Sequence, residues 1–321
     1  MNVTTTIETW PLHKPFRISR RECNSVETLM VCLSKNGITG RGEASGINYK
    51  GETVATMKRD IEHFFSTPIS NLTRSALLEL MPPGGARCAL DCALWDLEAK
   101  TNGTHVFVDR KPNIQTAFTL SLDTPEKMAA NAIAAANQPV LKLKLGGTHA
   151  IECVRAVRAA RPDAKIIVDA NEALSFDDLK IVAPLLHNAG VALIEQPLSR
   201  DADAALIGYK SPVLLCADES CMTRHDLPNL IGRYGAINIK LEKTGGLTEA
   251  LLLAEDAQIH GFELMVGCML GTSLAMAPAM LIAAQCSFVD LDGPLLLAQD
   301  RAYGISYDEG NMDYPHPTLW G

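Results

Sequence analysis

Five charged residues recur along the chain at nearly even intervals. Lys144, Asp169, Glu195, Asp218 and Lys240 are separated by 25, 26, 23 and 22 residues. Each stands at or near the C-terminal end of a short apolar run: "VLKLKL", "KIIVDAN", "ALIEQP", "LLCADES" and "AINIKL". One carboxylate at such a place is most simply a helix cap or a salt-bridge partner. Three at successive run ends converge, and converging carboxylates repel unless a cation neutralises them. Hard oxygen donors without histidine or thiolate favour magnesium over zinc, so one Mg2+ per subunit is expected on Asp169, Glu195 and Asp218. The lysines bracket them. An ordinary lysine, with a pKa of about 10.4, is a poor base at neutral pH, but a nearby cation and partial burial lower that value. A base on each side of one carbon, with a divalent ion on an adjacent carboxylate, suits 1,1-proton transfer. One lysine removes the α-proton, the metal stabilises the enolate, and the other lysine returns a proton on the opposite face.

These residues need a scaffold that brings them to one rim. In "LKLKLGG", Leu141, Leu143 and Leu145 alternate with Lys142 and Lys144. In an extended chain the leucines share one face and the lysines the other. Lysine is almost never fully buried unless paired, so the lysines are expected to face a barrel interior and the leucines the surrounding helices. Lys142 would then help to shift Lys144 toward a working pKa. From about residue 113, eight apolar runs alternate with helical patterns such as "AIECVRAVRAA" and "TEALLLAEDAQIHG", the latter closing on Gly261 as a C-cap. The remaining runs are "IQTAFTLSL", "FELMVGCM" and "FVDLDG". Such βα units build a parallel barrel, whose active sites lie at the C-terminal strand ends. A doubly wound sheet would instead spread the charged residues along an edge.

Residues 1–112 read as a separate α+β unit. "LMVCLSKNGITGRGEA" has a hairpin turn at Asn36-Gly37, and "RCALDCALWDLEAK" places Leu90, Ala93, Leu94 and Leu97 on one helix face. The segment 294–321 is expected to pack back on this unit, leaving 113–293 as the barrel. A net charge of −8 without a basic run argues against nucleic acid. No apolar stretch is long enough to span a bilayer, and the N-terminus lacks the pattern of a signal peptide. Nine scattered cysteines read as free thiols of a reducing, cytoplasmic protein; Cys88 and Cys92 have no second pair to complete a zinc site. Homo-oligomerisation is left open.

In this order and spacing, "LKLKL", "VDAN", "IEQP", "ADES" and "NIKLEKTGG" resemble the enolase superfamily, muconate-lactonizing-enzyme subgroup. "ALDCALWDLEAK" is similar to that subgroup's capping-domain helix, and "VGCMLGTS…DLDGP" resembles the dipeptide epimerases of the L-Ala-D/L-Glu type. The resemblance implies a (β/α)7β modified TIM barrel under an N-terminal α+β cap. It implies Lys144 and Lys240 as the acid/base pair, Asp169, Glu195 and Asp218 as magnesium ligands, and Lys142, Thr119, Cys268, Asp290 and Asp292 as substrate contacts. The activity implied is a magnesium-dependent epimerisation at the α-carbon of a dipeptide's C-terminal residue. On the residues alone, Asp290 and Asp292 serve equally well as turn residues before Gly293-Pro294. Cys268 serves as a packing cysteine and Thr119 as an ordinary strand threonine. Lys243 in "KTGG" falls in a loop and is passed over as the base in favour of Lys240.

The cap departs from that pattern. Where the Ala-Glu epimerases carry a basic residue that pairs with the substrate's glutamate, the alignable position here falls near Cys23 or Asn24. Arg20 and Arg21 are the candidates to replace it. The same lysines and metal would also serve an o-succinylbenzoate synthase, an N-succinylamino acid racemase or a cycloisomerase, none of which explains paired Asp290 and Asp292. A non-catalytic metal-binding protein on this scaffold would not need two opposed bases.

Overall fold

The computed structural model describes residues 1–18, 21–67, 69, 72–107, 114–146 and 149–321, with the backbone alone at Ile18 and Arg21. An antiparallel sheet opens the chain, with β1 (Asn2–Ile18), β2 (Arg21–Lys35) and β3 (Ile38–Ala44) in sequential order. The β2–β3 turn is the expected two-residue one. Asn36 and Gly37 take φ of 53° and 81°, the left-handed pair that matches the twist of a hairpin. Helices α1 (Val54–Phe64), α2 (Arg74–Leu80) and α3 (Gly85–Asn102) cover one face of this sheet. Leu90, Ala93, Leu94 and Leu97 of α3 are buried against Leu29, Val31 and Leu33 of β2 in one apolar cluster, as the helical spacing predicts.

The second unit is an eight-stranded parallel sheet in unbroken sequential order. Its strands are β5 (Phe118–Leu120), β6 (Val140–Lys144), β7 (Lys165–Asp169), β8 (Val191–Glu195), β9 (Leu214–Ala217), β10 (Ala236–Lys240), β11 (Glu263–Gly267) and β12 (Phe288–Asp290). The ends meet: Ala117 N–H donates to Val289 O at 2.8 Å, and Leu291 N–H to Thr116 Oγ1 at 2.8 Å. The sheet is thus a nearly closed barrel. Helices α4 (Pro125–Ala134), α5 (Ala150–Ala160), α6 (Phe176–Asn188), α7 (Leu227–Leu230), α8 (Leu241–Thr244), α9 (Leu247–Ile259) and α10 (Ser273–Ala283) follow successive strands. The β8–β9 connection carries only a 3-10 turn, Asp203–Leu206. After α9 the chain turns at Gly261 with φ 81°, the left-handed stop expected there.

Period-two alternation sorts the barrel residues into two layers. Leu141, Leu143, Ile166, Val168 and Ile194 point outward into the large cluster shared with the helices. Ala117, Ile167, Leu193, Cys216, Ala236, Met265 and Phe288 point inward and fill the barrel. Lys142 is buried inside the barrel, as the alternation predicts, while its leucine neighbours pack outside. Each buried leucine contributes roughly 1.5–3 kcal/mol, which offsets part of the cost of turning charge inward.

One apolar run divides where a single strand was expected. In "IQTAFTLSL", β4 (Ile114–Gln115) leaves the barrel and pairs with the C-terminal hairpin of β13 (Tyr307–Asp308) and β14 (Asn311–Met312). Thr116 makes the switch, because its N–H donates to Gly310 O while its hydroxyl serves the barrel seam. After the short helix α11 (Gly293–Leu296), the C-terminal segment runs over the N-terminal unit. Ala298 N–H donates to Pro11 O, Gly321 N–H to Asp96 Oδ1 at 2.7 Å and Trp320 Nε1 to Cys92 O at 2.9 Å. Although the segment is polar overall, Trp320 is completely buried.

Candidate active site

The inward positions just above the apolar layer carry the charge. Lys144 and Asp169 end β6 and β7, Glu195 ends β8, Asp218 follows β9, and Lys240 ends β10. In an eight-stranded barrel β6 and β10 are four strands apart, so Lys144 and Lys240 stand on opposite walls with the three carboxylates on the arc between. Thr119, Cys268, Asp290 and Asp292 come from β5, β11 and β12 and complete the ring. Eight of the ten candidates outside the 20–21 stretch line one cavity of about 820 Å³ between barrel and N-terminal unit. Asp169 and Glu195, the other two, lie fully buried beneath it. Arg20 and the side chain of Arg21 lie outside the described residues. A smaller cavity of about 290 Å³ at the opposite barrel end is lined by Lys165, Cys286 and Phe288 and holds no carboxylate, so the chemistry belongs to the larger one.

Ammonium groups and carboxylates interleave at the mouth. Lys144 Nζ donates to Asp169 Oδ2 at 2.6 Å, and Lys240 Nζ to Asp218 Oδ2 at 2.7 Å. Lys142 Nζ lies 3.2 Å from Asp169 Oδ2, 2.6 Å from Glu195 Oε2 and 2.7 Å from Asp290 Oδ2. Burial opposes ionisation of Asp169 and Asp218, but Lys144 and Lys142 around the first, and Lys240 and Lys243 around the second, hold both far below the usual carboxylate range. Glu195 is pushed up to about 7 by burial and by Asp169. Burial pulls Lys142 and Lys240 down, yet the carboxylates facing them outweigh it and raise both well above the ordinary lysine value. Without a cation at the carboxylates, Asp218 and Glu195 stabilise the charged form of Lys240; the lowering expected for Lys144 depends on such a cation.

Three further residues in and behind this ring escaped the sequence reading, and a fourth, Lys243, was set aside there as a loop residue. Asn238, inward on β10 two residues before Lys240, donates to Glu195 Oε1 at 2.7 Å. Gly267 leaves room for it, since a Cβ there would sit 2.8 Å from the Asn238 amide. Lys243 is not in an open loop: it lies in α8, fully buried, donating to Asp218 Oδ1 at 2.6 Å and to Asp218 O and Asn238 O. The αL turn at Gly245 folds this segment back under the strand end. Glu219 lines the cavity, and its Oε2 is buried without a hydrogen-bond partner among the described residues. Burial and Asp218 push it up to about 8. Gln196 joins neighbouring strand ends. Alternation could have found Asn238; the rest depend on how the chain bends after each strand.

Six carboxyl groups (Asp169, Glu195, Asp218, Glu219, Asp290, Asp292) and four ammonium groups (Lys142, Lys144, Lys240, Lys243) crowd this mouth. Fully ionised, they leave two negative charges in excess. Among the described residues no three carboxylates stand together as a preformed metal shell, because ammonium groups hold their oxygens. The donor chemistry, the charge excess and the unpartnered Glu219 oxygen all fit a hard divalent cation such as magnesium. On the far arc, Asp292 Oδ2 accepts from Thr119 N–H at 2.7 Å, and burial beside Asp290 pushes it up to about 7. Asp290 is not uncompensated, as Lys142 binds it, although its Oδ1 has no hydrogen-bond partner among the described residues.

The N-terminal unit roofs the cavity with Phe16, Glu27, Asn48 and Tyr49. The Tyr49 segment is clamped from below: Glu242 of α8 accepts from Ser45 N–H at 3.2 Å and Gly46 N–H at 2.6 Å. Glu52 takes Ile47 N–H at 2.9 Å and Gly85 N–H at 2.9 Å. Arg200, from the loop after β8, lies over the Tyr49 ring at 5.0 Å.

Residues 1–108 match the mandelate racemase/muconate lactonizing enzyme N-terminal domain, and residues 126–309 match the enolase C-terminal domain-like family. The chain is 43% identical over 300 residues to an N-acetyl-D-glutamate racemase of Pseudoalteromonas sp, covering 91% of this chain and 95% of that one. It is 42% identical over 311 residues to the L-Ala-D/L-Glu epimerase of Escherichia coli K12, covering 95% and 97%. A crystal structure of an enolase family member from Agrobacterium tumefaciens, with homology to dipeptide epimerases and bound sodium and L-Ala-L-Glu, superposes with a TM-score of 0.96 at 44% identity over 99% of both chains. The dipeptide epimerase of Enterococcus faecalis, complexed with Mg and L-Leu-L-Tyr, superposes at 0.90 with 28% identity over 97% of this chain and 96% of that one. Both parts of the molecule, the roof and the barrel with its opposed lysines, thus find their match in one lineage, and the chain belongs to the mandelate racemase/muconate lactonizing enzyme family of the enolase superfamily.

Proposed function

We propose that this protein is a magnesium-dependent epimerase acting at the α-carbon of the C-terminal residue of a dipeptide. The observation that carries the reading is the placement of Lys144 and Lys240 on opposite walls of one cavity, with Asp169, Glu195 and Asp218 on the arc between them. Relatives that share over 40% of the sequence and are named epimerase or racemase support it. Asp169, Glu195 and Asp218 would hold the metal. With magnesium bound there, those carboxylates are neutralised and the negative charge that develops on the substrate carboxylate has a cation beside it.

The chain's own residues then do the following. The neutral lysine on one wall takes the α-proton, and the ammonium on the other returns one to the opposite face, so the two exchange protonation states in each turnover. Lys142, anchored to Asp290, keeps a fixed positive charge beside the reacting carboxylate. Lys243 and Asn238 hold Asp218 and Glu195 in place. Asp290 and Asp292 face the end of the cavity where a dipeptide's ammonium group would sit, and Thr119 and Cys268 shape that wall. Arg20 and Arg21 remain the proposed partners of an acidic substrate side chain. The same reading divides the chain into a cap, 1–112 with 294–321, and a barrel, 113–293. Cysteines outside disulfides suit a reducing cytoplasm.

A second reading has its own support. The relative named N-acetyl-D-glutamate racemase would act on an acylated nitrogen, which brings no positive charge to Asp290 and Asp292. Incubation with Mg2+ in D2O separates the two. L-Ala-L-Glu should gain α-deuterium at its C-terminal residue, whereas N-acetyl-glutamate should turn over roughly 30-fold to several thousand-fold less efficiently, the cost of an unmade desolvated ion pair. Equal turnover of both would sink the dipeptide assignment and leave the lysines and metal standing.

A further inference from the structure

Six non-glycine residues among those described have positive φ, and three of them follow the candidate ligand strands directly: Asn171 (44°), Glu172 (65°) and Gln196 (35°). Backbone in this region is unfavourable for residues with a Cβ and persists only where its surroundings hold it. At Gln196 the surroundings can be traced bond by bond. Its N–H donates to Cys216 O at 2.8 Å, on the strand that leads to Asp218. Its carbonyl accepts Glu172 N–H at 2.9 Å, on the segment that follows Asp169. Its side-chain Oε1 accepts both Asp218 N–H at 2.8 Å and Ser220 N–H at 3.1 Å. Gln196 itself follows Glu195. One residue therefore ties together the three strand ends that carry Asp169, Glu195 and Asp218.

The orientation of its amide is set from behind. Asp203, in the 3-10 turn after β8, is buried and accepts from Ser220 Oγ at 2.6 Å, Tyr234 OH at 3.1 Å and Arg233 Nη1 at 2.8 Å. A carboxylate only accepts, so both hydroxyls spend their single proton on Asp203. They are left as acceptors toward Gln196 Nε2, at 2.8 Å and 3.1 Å, and Leu198 O at 2.8 Å offers a third. The NH2 group must therefore face Asp203, and Oε1 must face the Asp218 backbone.

We propose that Gln196 is a positioning residue that sets the mutual spacing of Asp169, Glu195 and Asp218, with Asp203 as the anchor that fixes the direction of its amide. This rests on the reading of those three carboxylates as the magnesium ligands, and not on the identity of the substrate. Gln196 is not itself a lining residue of the cavity, which it reaches only through the Asp218 backbone, and it does no chemistry itself.

The test is Mg2+ binding by isothermal titration calorimetry on the full chain without substrate, alongside thermal melting and steady-state kinetics. Gln196→Leu, which removes both acceptor and donors, should weaken Mg2+ binding by about 10- to 100-fold, as is usual when a ligand's supporting partner is lost. Asp203→Asn and Gln196→Glu, which keep shape but scramble the donor–acceptor order, should each weaken it by about threefold or more. In all three, raising Mg2+ should recover part of the lost kcat/KM at temperatures well below the melting transition, where a merely destabilised protein is already folded and has nothing to recover. A folded Gln196→Leu that binds Mg2+ within about twofold of the parent overturns the proposal. If that variant does not fold, parent-like binding by both isosteric variants overturns it. A parent protein that takes up no Mg2+ overturns the ligand assignment instead, and is told apart by requiring no variant at all.

Discussion

Two groups of buried carboxylates in this molecule are held in opposite ways. Along the seam between the N-terminal unit and the barrel, the partners are fixed. Asp91 accepts Thr248 N–H at 2.9 Å and Thr248 Oγ1 at 2.6 Å. Glu43 accepts Thr272 N–H, Thr272 Oγ1 and Arg301 Nε, and Arg301 also reaches Glu8. Glu242 grips the backbone of Ser45 and Gly46. In the barrel mouth ammonium groups on flexible stems predominate, beside single N–H donors to Asp169, Glu195 and Asp292, and oxygens of Glu219 and Asp290 are left without hydrogen bonds among the described residues. Backbone donors cannot leave, so the seam is built to hold still. Lysines can move and change protonation, so the mouth is built to exchange partners.

The largest effects should separate these regions by what is lost. Lys144→Ala or Lys240→Ala should lower epimerisation by about a thousandfold, within the range for removing a general base, with the fold retained because Lys142 still pairs with Asp169 and Lys243 with Asp218. Each variant should still exchange deuterium into one epimer only, seen by NMR in D2O. Near-normal epimerisation in either variant would end the two-base assignment. Arg301→Ala should do the reverse. It strands Glu43, which is wholly buried, at a cost of about 3–5 kcal/mol in urea unfolding, while folded protein keeps most of its kcat. If this variant proved stable but inactive, the seam would belong to the active machinery.

Next comes the pH dependence of the seam. Burial pushes Asp91 up to about 6 despite its two Thr248 donors. Its folded value then exceeds its unfolded value of about 3.9, so the folded state binds the extra proton in between. That contribution is fully present below about pH 4 and is lost as pH rises through 6, amounting to about 3 kcal/mol. Denaturation midpoints of the parent should decline across this window more steeply than those of Asp91→Asn. Parallel curves would show that Asp91 stays ionised in the fold. The smallest effect expected is at the mouth. Glu219→Gln should stabilise the metal-free protein by about 1 kcal/mol at pH 9, above the value of about 8 to which Glu219 is pushed and where it adds a negative charge beside Asp218, while lowering activity. A loss of stability in EDTA would mean that the mouth carries no surplus charge.

Much of this was written in the chain at short range. Strand alternation placed Lys142 and Lys144 inward and their leucines outward, because successive side chains must take opposite faces. The even spacing of Lys144, Asp169, Glu195, Asp218 and Lys240 follows from the length of one βα unit, so their meeting at one rim could be read before any contact was known. The Asn36-Gly37 turn and the α3 face were equally local. What lay beyond reach depends on contacts between distant segments. The run at 114–120 split because Thr116 bonds both Gly310 and the barrel seam, and no pattern within the run encodes that choice. Lys243 reads as a loop residue until the turn at Gly245 folds it under Asp218. The carboxylates that hold Lys240 charged in the absence of a cation, Asp218 and Glu195, are brought beside it only by the closed barrel. Period and composition fix which face a side chain takes; tertiary structure alone decides which charges share that face, and electrostatic energy depends on distance rather than on order along the chain.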